Sequence, residues 1–524
     1  MDVKPRPLPS VIKEVAASDP DRTCMIEDTG KTATYAEVHA NALRWAHLLG
    51  SHGVARGATV ATLLPTSITA IEVWLGIAWL GAIEVPINTA YRGMMLEHVL
   101  DDSETTIVVT TEAFADVLHE PLAARNSITK VVLADGFDAH GHPLAGAAQN
   151  VDGSRLPEPI AVADLEPIEE HELACILYTS GTTGPSKGVL VPWAQLCATA
   201  FGALPGIDVS SDDVIYVPFP LFHVSGKNMV YLGALLGGHS VLKAQFKTDE
   251  FWDDTRKYGC TITLLLGAMA NFVNNQPPRA DDADNPLRIA TMVPVIADVE
   301  RFKARFGVEV TTVFNMTETS CPLVSDGFEL GPAGSCGRPR DGYQVRLVDE
   351  LDREVPPGVL GELVLRSDAP WTQMAGYWKR PEATVAAWRN QWLHTGDGFI
   401  RDENDNFFFV DRKKDAIRRR GENISSFEVE AQVNEHPDVI ECAAVAVPSE
   451  LSEDEVKVAV VLHDGAALTA SDLHAYLAER MPKFMVPRFI EFLDELPKTP
   501  TQKIRKVVLR EGGVTAETWD AARR

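Results

Sequence analysis

Two apolar runs, Leu173–Leu177 and Val189–Val191, bracket the stretch Tyr178-Thr179-Ser180-Gly181-Thr182-Thr183-Gly184-Pro185-Ser186-Lys187-Gly188. Glycine, proline and small hydroxyl residues at that density make neither core nor a good helix. They turn tightly and direct N–H and O–H donors to one centre, a cradle for an anion and above all for phosphate. The flanks decide which kind of phosphate loop this is. In the G-x-x-x-x-G-K-[ST] pattern the lysine opens a helix. Here that spacing is absent, and Lys187 is followed by Gly188 and the strand-like Val189-Leu190-Val191. The order is therefore strand, loop, strand, and the chain must build a β-framework that holds such a loop.

That framework is legible on both sides. Val60–Leu64, Ile83–Ile87, Ile107–Val109 and Val131–Leu133 read as short buried strands, separated by the helical segments Ser67–Leu80 and Met94–Leu100. This alternation predicts parallel sheet covered by helices on both faces. Thr34-Tyr35-Ala36-Glu37 opens a helix with a hydroxyl and a carboxylate at its N-end. The greasy run Ile68–Ile87 carries Glu72, Glu84 and Pro86, so it reads as buried helix plus strand, not as a membrane span. Residues 135–167, rich in Gly, Ala, Pro and acid, are expected to form a loop.

At 524 residues the chain exceeds one ordinary domain. Its 74 acidic against 48 basic residues give a net charge of −26, which opposes binding to nucleic acid or an anionic membrane surface. Seven scattered cysteines with no C-x-x-C spacing indicate neither a disulfide framework nor a zinc site and fit a reducing, cytoplasmic setting. No signal-peptide pattern stands at the N-terminus, and no stable membrane insertion is expected.

Beyond the phosphate stretch, several strand ends carry chemistry. Val214–Phe219 leads to Pro220-Leu221-Phe222-His223-Val224-Ser225-Gly226-Lys227-Asn228 and then the apolar helix Met229–Leu236. Thr261–Leu266 leads to Gly267-Ala268-Met269, Ile289–Val293 to Pro294-Val295, and Val310–Phe314 to Asn315-Met316-Thr317-Glu318. Ligands of open α/β sheets gather at the carboxyl ends of strands, so these termini should meet. Further on come Trp392-Leu393-His394-Thr395-Gly396-Asp397, then Asp411-Arg412-Lys413-Lys414-Asp415, Arg420-Gly421-Glu422-Asn423 and Pro497-Lys498-Thr499-Pro500-Thr501-Gln502-Lys503.

In this order the motifs resemble those of the adenylate-forming superfamily, in its acyl-CoA synthetase branch. They are most similar around residues 88–92 and 222–228 to ligases of the carnitine-CoA and steroid- or terpenoid-acid kind. The resemblance implies an α/β fold. A large N-terminal domain, residues 1–411, would hold parallel-rich sheets covered by helices plus a distorted barrel. A small mobile α+β C-terminal domain, residues 412–524, would carry the catalytic lysine. It implies ATP, Mg²⁺ and CoA as cofactors, with Thr179 and Glu318 as metal ligands, and Thr179, Ser180, Gly181, Thr182, Thr183, Gly184, Asn315, Met316, Asp397 and Arg412 on the nucleotide. Lys503, Thr317, Glu318, Lys187 and His223 are implied in catalysis, Lys414 as the hinge, and Arg420, Gly421, Glu422 and Asn423 at CoA. His223, Val224, Lys227, Asn228, Ala268, Met269, Val293 and Met316 would form the acyl pocket.

Three positions depart from the family pattern. Asn315 and Gln502 stand where glycine is usual, and Met292-Val293-Pro294-Val295 replaces a small Gly/Ala-rich turn. The bulk at Asn315 and in the 292–295 turn should reshape the pocket without abolishing chemistry. The implied reaction activates a carboxylic acid to an acyl-adenylate and then a CoA thioester, with a bulky polycyclic acid of terpenoid or steroid kind as the expected substrate. An adenylating enzyme that hands its acyl group to a separate carrier, and a non-catalytic adenylate-binding protein, are the competing readings. A homodimer and a partner acyl-transfer protein are both compatible with the chain.

Overall fold

The computed structural model describes residues 4–124, 127–136, 148–179, 186–412, 416–419, 422–449, 453–463, 465–497, 504 and 506–523. They divide into two compact units. One comprises Met1–Thr89, Leu100–Leu177 and Gly188–Asp411; the other gathers Ala90–Val99, Tyr178–Lys187 and Arg412–Arg524.

The larger unit is built on two parallel-rich sheets. The seven-stranded one runs Glu309–Thr311, Ile289–Val293, Ile262–Leu266, Val214–Val217, His239–Leu242, Thr23–Glu27, Thr32–Thr34, parallel except at its last, hairpin pair. The eight-stranded one runs Gly376–Tyr377, Lys187–Pro192, Leu173–Thr179, Ile83–Pro86, Thr59–Leu63, Ile107–Thr110, Lys130–Leu133, Gln149–Asp152. A curled three-stranded half-barrel (Val313–Phe314, Leu323–Val324, Arg338–Pro339) and a four-stranded sheet of Tyr343–Val348, Gly361–Ser367, Leu393–Arg401 and Phe407–Arg412 complete it.

The apolar run Ile68–Ile87 forms a central helix, Ile68–Trp79, buried along its length, and the strand Ile83–Pro86. The helix lies against helix Tyr35–Ser51, and the approach depends on Gly76, whose Cβ would fall 2.9 Å from the Ala42 carbonyl oxygen and closer still to Trp45. Glu72 survives inside it because Asn41 Nδ2 donates to its carboxylate at 2.8 Å, yet burial still pushes its pKa up to about 7. The Tyr35–Ser51 helix begins with the expected capping box between Thr34 and Glu37.

The smaller unit contains the hairpin Ala416–Arg419/Glu422–Ser425 and a four-stranded sheet of Val439–Pro448, Asp454–Leu462, Phe489–Phe492 and Trp519–Asp520. Helices Ser426–Asn434, Ala470–Ala478 and Lys506–Gly512 accompany it. Its core includes Ala443, Val445, Val447, Ala459, Phe489 and Leu509.

Three local expectations fail for physical reasons. The 135–167 segment contains an edge strand, Gln149–Asp152, whose ladder to Lys130–Leu133 is made by backbone groups and needs no apolar run. Helix Val224–Leu236 starts five residues earlier than its apolar stretch suggests. The run Val310–Phe314 serves two sheets, broken at Thr312, whose hydroxyl donates to Met292 O at 2.7 Å while its N–H is taken by Ser325 Oγ. All seven cysteines are free thiols, and no described helix is long and apolar enough to cross a membrane.

Candidate active site

Register places the chemistry-bearing strand ends side by side. Val217 pairs with Leu242, and Leu266 with Val293, so the seven-stranded sheet finishes along one carboxyl edge. From that edge the chain reaches Phe222–Ser225, a partly exposed run at the start of helix Val224–Leu236 with His223 as its N-cap residue. The Phe222 and His223 rings stand 4.8 Å apart. After Leu266, Gly267 opens the helix that carries Ala268 and Met269; a Cβ on Gly267 would meet Pro294 O at 3.1 Å, which shows how closely the next strand end presses. Val293 is partly exposed there, whereas Met292 points into the core.

Beside these ends, Asn315, Met316, Thr317 and Glu318 are partly exposed while Val313 and Thr319 on either side are buried. The turn is self-bonded, Met316 N–H to Thr319 Oγ1 at 3.0 Å and Thr319 N–H to Met316 O at 3.2 Å. Two groups to which the sequence reading assigns no role hold it. Gln195 Nε2, fully buried on helix Trp193–Ala200, donates to Thr317 O at 2.8 Å and to Thr319 O at 3.4 Å. Tyr377 donates its hydroxyl to Glu318 Oε1 at 3.0 Å, and Met374 N–H donates to Glu318 O at 2.9 Å. Both residues are remote in sequence from the turn and belong to no pattern that names their partner.

Asp397 is buried on strand Leu393–Arg401, just past Gly396, which takes φ 74° where the strand's register with Gly361–Ser367 shifts. Its backbone N–H donates to Thr395 Oγ1 at 3.1 Å, and Gly396 N–H donates to Glu362 Oε1 at 3.0 Å, so the carboxylate stands on a fixed backbone. Arg412 ends the neighbouring strand Phe407–Arg412.

In the smaller unit, Thr179 ends strand Leu173–Thr179 and Lys187 begins Lys187–Pro192, the two strands expected on either side of the phosphate stretch. Ser186 is gripped at both its backbone groups: its N–H donates to Glu428 Oε1 at 3.1 Å, and its carbonyl accepts from His98 Nε2–H at 2.8 Å. Burial pushes the Glu428 carboxyl up to about 7, against the pull of the Ser186 N–H. Burial also holds Tyr91 protonated, reinforced by the charges of Glu428 and Glu422. Glu422 and Asn423 lie on strand Glu422–Ser425. Ser180, Gly181, Thr182, Thr183, Gly184, Lys414, Arg420, Gly421 and Lys503 lie outside the described residues.

Lys227 departs from its expected place at an acyl pocket. Its side chain exposes no surface; the ammonium pairs with Glu84 on strand Ile83–Pro86 and sits 3.6 Å from the Trp74 ring centroid. Thr62 Oγ1 donates to the same carboxylate at 2.9 Å. Burial dominates at Glu84 and raises its pKa, with Lys227 opposing. Asn228, also buried, has an Oδ1 that accepts no hydrogen bond.

Among the described residues no group of three or more His, Cys, Asp or Glu side chains could hold a metal ion. A Mg²⁺ carried on nucleotide phosphates needs only one or two carboxylates and keeps its waters, and the partly exposed Glu318, engaged by Tyr377 at one oxygen, suits that role.

A family model described as AMP-binding enzyme matches residues 12–378, and one described as AMP-binding enzyme C-terminal domain matches residues 428–503. The crotonobetaine/carnitine–CoA ligase of Salmonella arizonae is 30% identical over 91% of this chain and 93% of its own length. That of Proteus mirabilis is 30% identical over 90% and 92%. Among solved structures, ATP-bound MatB from Rhodopseudomonas palustris is 26% identical with a TM-score of 0.67, covering 96% of this chain and 98% of its own. The amide bond synthetase McbA from Marinactinospora thermotolerans, 24% identical with a TM-score of 0.82 over 97% and 99%, shares the fold.

Proposed function

The chain belongs to the AMP-binding enzymes and is an ATP-dependent, AMP-forming acid–thiol ligase; on that premise we propose the following division of labour among its residues. The observation that carries it is the Thr317–Glu318 turn, open between buried flanks and braced on both sides, at the sheet edge shared with His223 and Val293.

A substrate carboxylate attacks the α-phosphorus of ATP, forming a P–O bond and releasing pyrophosphate. Thr179–Gly184 and Lys187 meet the charge of the leaving phosphates with hydroxyl, N–H and ammonium donors. Thr317 Oγ1 and Lys503 neutralise the attacking and phosphoryl oxygens; a lysine suits this because it is a mobile point charge. Asp397 takes the ribose hydroxyls, with Arg412 beside the nucleotide and Asn315 and Met316 against the base. Glu318 with Thr179 would hold Mg²⁺, which when bound would supply Lewis-acid chemistry at the phosphates. The C-terminal domain then turns about Lys414, withdraws Lys503 and presents Arg420–Asn423 to CoA. The CoA thiol attacks the acyl carbon, the thioester forms, and AMP leaves with the electron pair of the broken C–O bond.

The acid has an uncharged, bulky body. Lys227 is consumed by Glu84, so the remaining described lining, His223, Val224, Asn228, Met269, Val293 and Met316, offers no ammonium to a second carboxylate on the substrate. Methionine linings adapt to irregular apolar shapes, which favours a polycyclic acid of terpenoid or steroid kind. A second reading, a short carnitine-like acid, is favoured by the relatives' 30% identity over nine-tenths of the chain. Incubating the protein with ATP, Mg²⁺, CoA and each acid, and weighing the products by mass spectrometry, tests both. Polycyclic acyl-CoA with equimolar AMP is expected. Crotonobetainyl- or carnitinyl-CoA alone would transfer the substrate to the second reading, and AMP without any thioester would point to a separate acyl acceptor.

A further inference from the structure

We infer that Gln195 and Tyr377 are positioning residues that set the Thr317–Glu318 turn for the adenylation step, an inference that rests on the function proposed above. They grip the turn by different handles. Gln195 Nε2 spans the carbonyls of Thr317 and Thr319, the residues on either side of Glu318, while the Tyr377 hydroxyl fixes the Glu318 carboxylate itself.

Gln195 is an unlikely choice for stability alone. Its side chain is fully buried, and with Nε2 committed to two carbonyls its Oε1 accepts no hydrogen bond. A buried acceptor left without a donor is destabilising, so such groups call for an explanation. The amide cannot flip to relieve it, because Oε1 would then face two carbonyl oxygens. What the arrangement secures is the turn's backbone position, at the expense of an orphan acceptor.

Both braces have one root. Helix Trp193–Ala200 follows directly on strand Lys187–Pro192, and Tyr377 pairs with Val189 of that same strand. Trp193 stacks on Trp74 with ring centroids 5.4 Å apart, which fixes the first turn of the helix in the core. The strand that leaves the phosphate stretch therefore carries both supports of the turn. A reacting group displaced by about 1 Å loses on the order of 10²-fold in rate, which is the effect such a frame prevents.

The test uses full-length Gln195→Met and Tyr377→Phe proteins beside wild type. It reads acid-dependent ATP–pyrophosphate exchange, ATP binding by calorimetry across a Mg²⁺ titration, and thermal melting. Gln195→Met is expected to lower kcat for exchange on the order of 10²-fold with KM for ATP changed less than about threefold. Tyr377→Phe is expected to raise the Mg²⁺ concentration that half-saturates ATP binding about tenfold, the scale for losing a group that orients a metal ligand. A purely structural role would lower melting temperature and active fraction and leave the kcat-to-KM split and the Mg²⁺ dependence as in wild type; that result would overturn the inference alone. Wild type that neither binds ATP nor exchanges pyrophosphate would bring down the proposed function and this inference with it.

Discussion

Helices Trp193–Ala200 and Val224–Leu236 lie against each other, and each sinks a long polar side chain, Gln195 and Lys227, into the interior. Gln195 reaches outward to a partly exposed turn and is left with an unmet acceptor; Lys227 reaches inward to Glu84, whose carboxylate also accepts from Thr62, and is capped by Trp74. The first arrangement trades stability for the position of the Thr317–Glu318 turn. The second is a closed structural pair that joins helix Val224–Leu236 to the strand Ile83–Pro86 of the other sheet. Burial of a polar group is thus no sign of function by itself; what it points at decides.

The comparison breaks most visibly at Lys227. Lys227→Met should cost about 3–5 kcal/mol, since it leaves Glu84 charged or forced to protonate in apolar surroundings. Lys227→Met combined with Glu84→Leu should recover most of that in urea unfolding, because an apolar pair of similar volume is often neutral. If the double variant is no more stable than the single one, the pair is not a closed unit. Gln195→Met should show the opposite profile, a stability change within about 1–3 kcal/mol but the large loss of exchange turnover described above. Tyr377→Phe should be milder in rate and visible mainly in the Mg²⁺ titration.

The smallest effect belongs to Glu428, half-buried against Ser186 N–H. Its folded pKa is raised to about 7 from the ordinary 4.5, so the folded state holds the proton more tightly than the unfolded one. No penalty exists below the unfolded value; stability falls as pH rises from about 4.5 to 7 and stays reduced above. Glu428→Gln should therefore match wild type near pH 4.5 and melt higher at pH 8. A melting difference independent of pH would contradict this assignment.

Much of this organisation is written locally. The phosphate stretch, the strand-end motifs and the capping box at Thr34 all rest on neighbours in sequence, and the parallel sheets follow from the spacing of apolar runs. The supports are not local: Gln195 and its partner Thr317 are 122 positions apart, and Lys227 and Glu84 are 143 apart. A glutamine or lysine in a mostly apolar helix carries no label for which distant group it meets, so the sequence alone does not tell Lys227 from a pocket residue and does not mark Gln195. Strand Gln149–Asp152 was hidden for a related reason, since an edge strand that pairs through its backbone needs no apolar signature.

The proposed adenylation of a carboxylic acid at the Thr317–Glu318 turn underlies the residue roles given above. Its most direct test is acid-dependent ATP–pyrophosphate exchange without CoA, across linear, aryl, steroid and diterpenoid acids and carnitine, in wild type and Thr317→Ala. Exchange is expected to require one acid class and to fall on the order of 10²-fold in the variant, as for loss of a group that stabilises developing charge. Folded wild type that binds ATP yet exchanges with no acid, or a variant that exchanges at the wild-type rate, would contradict it.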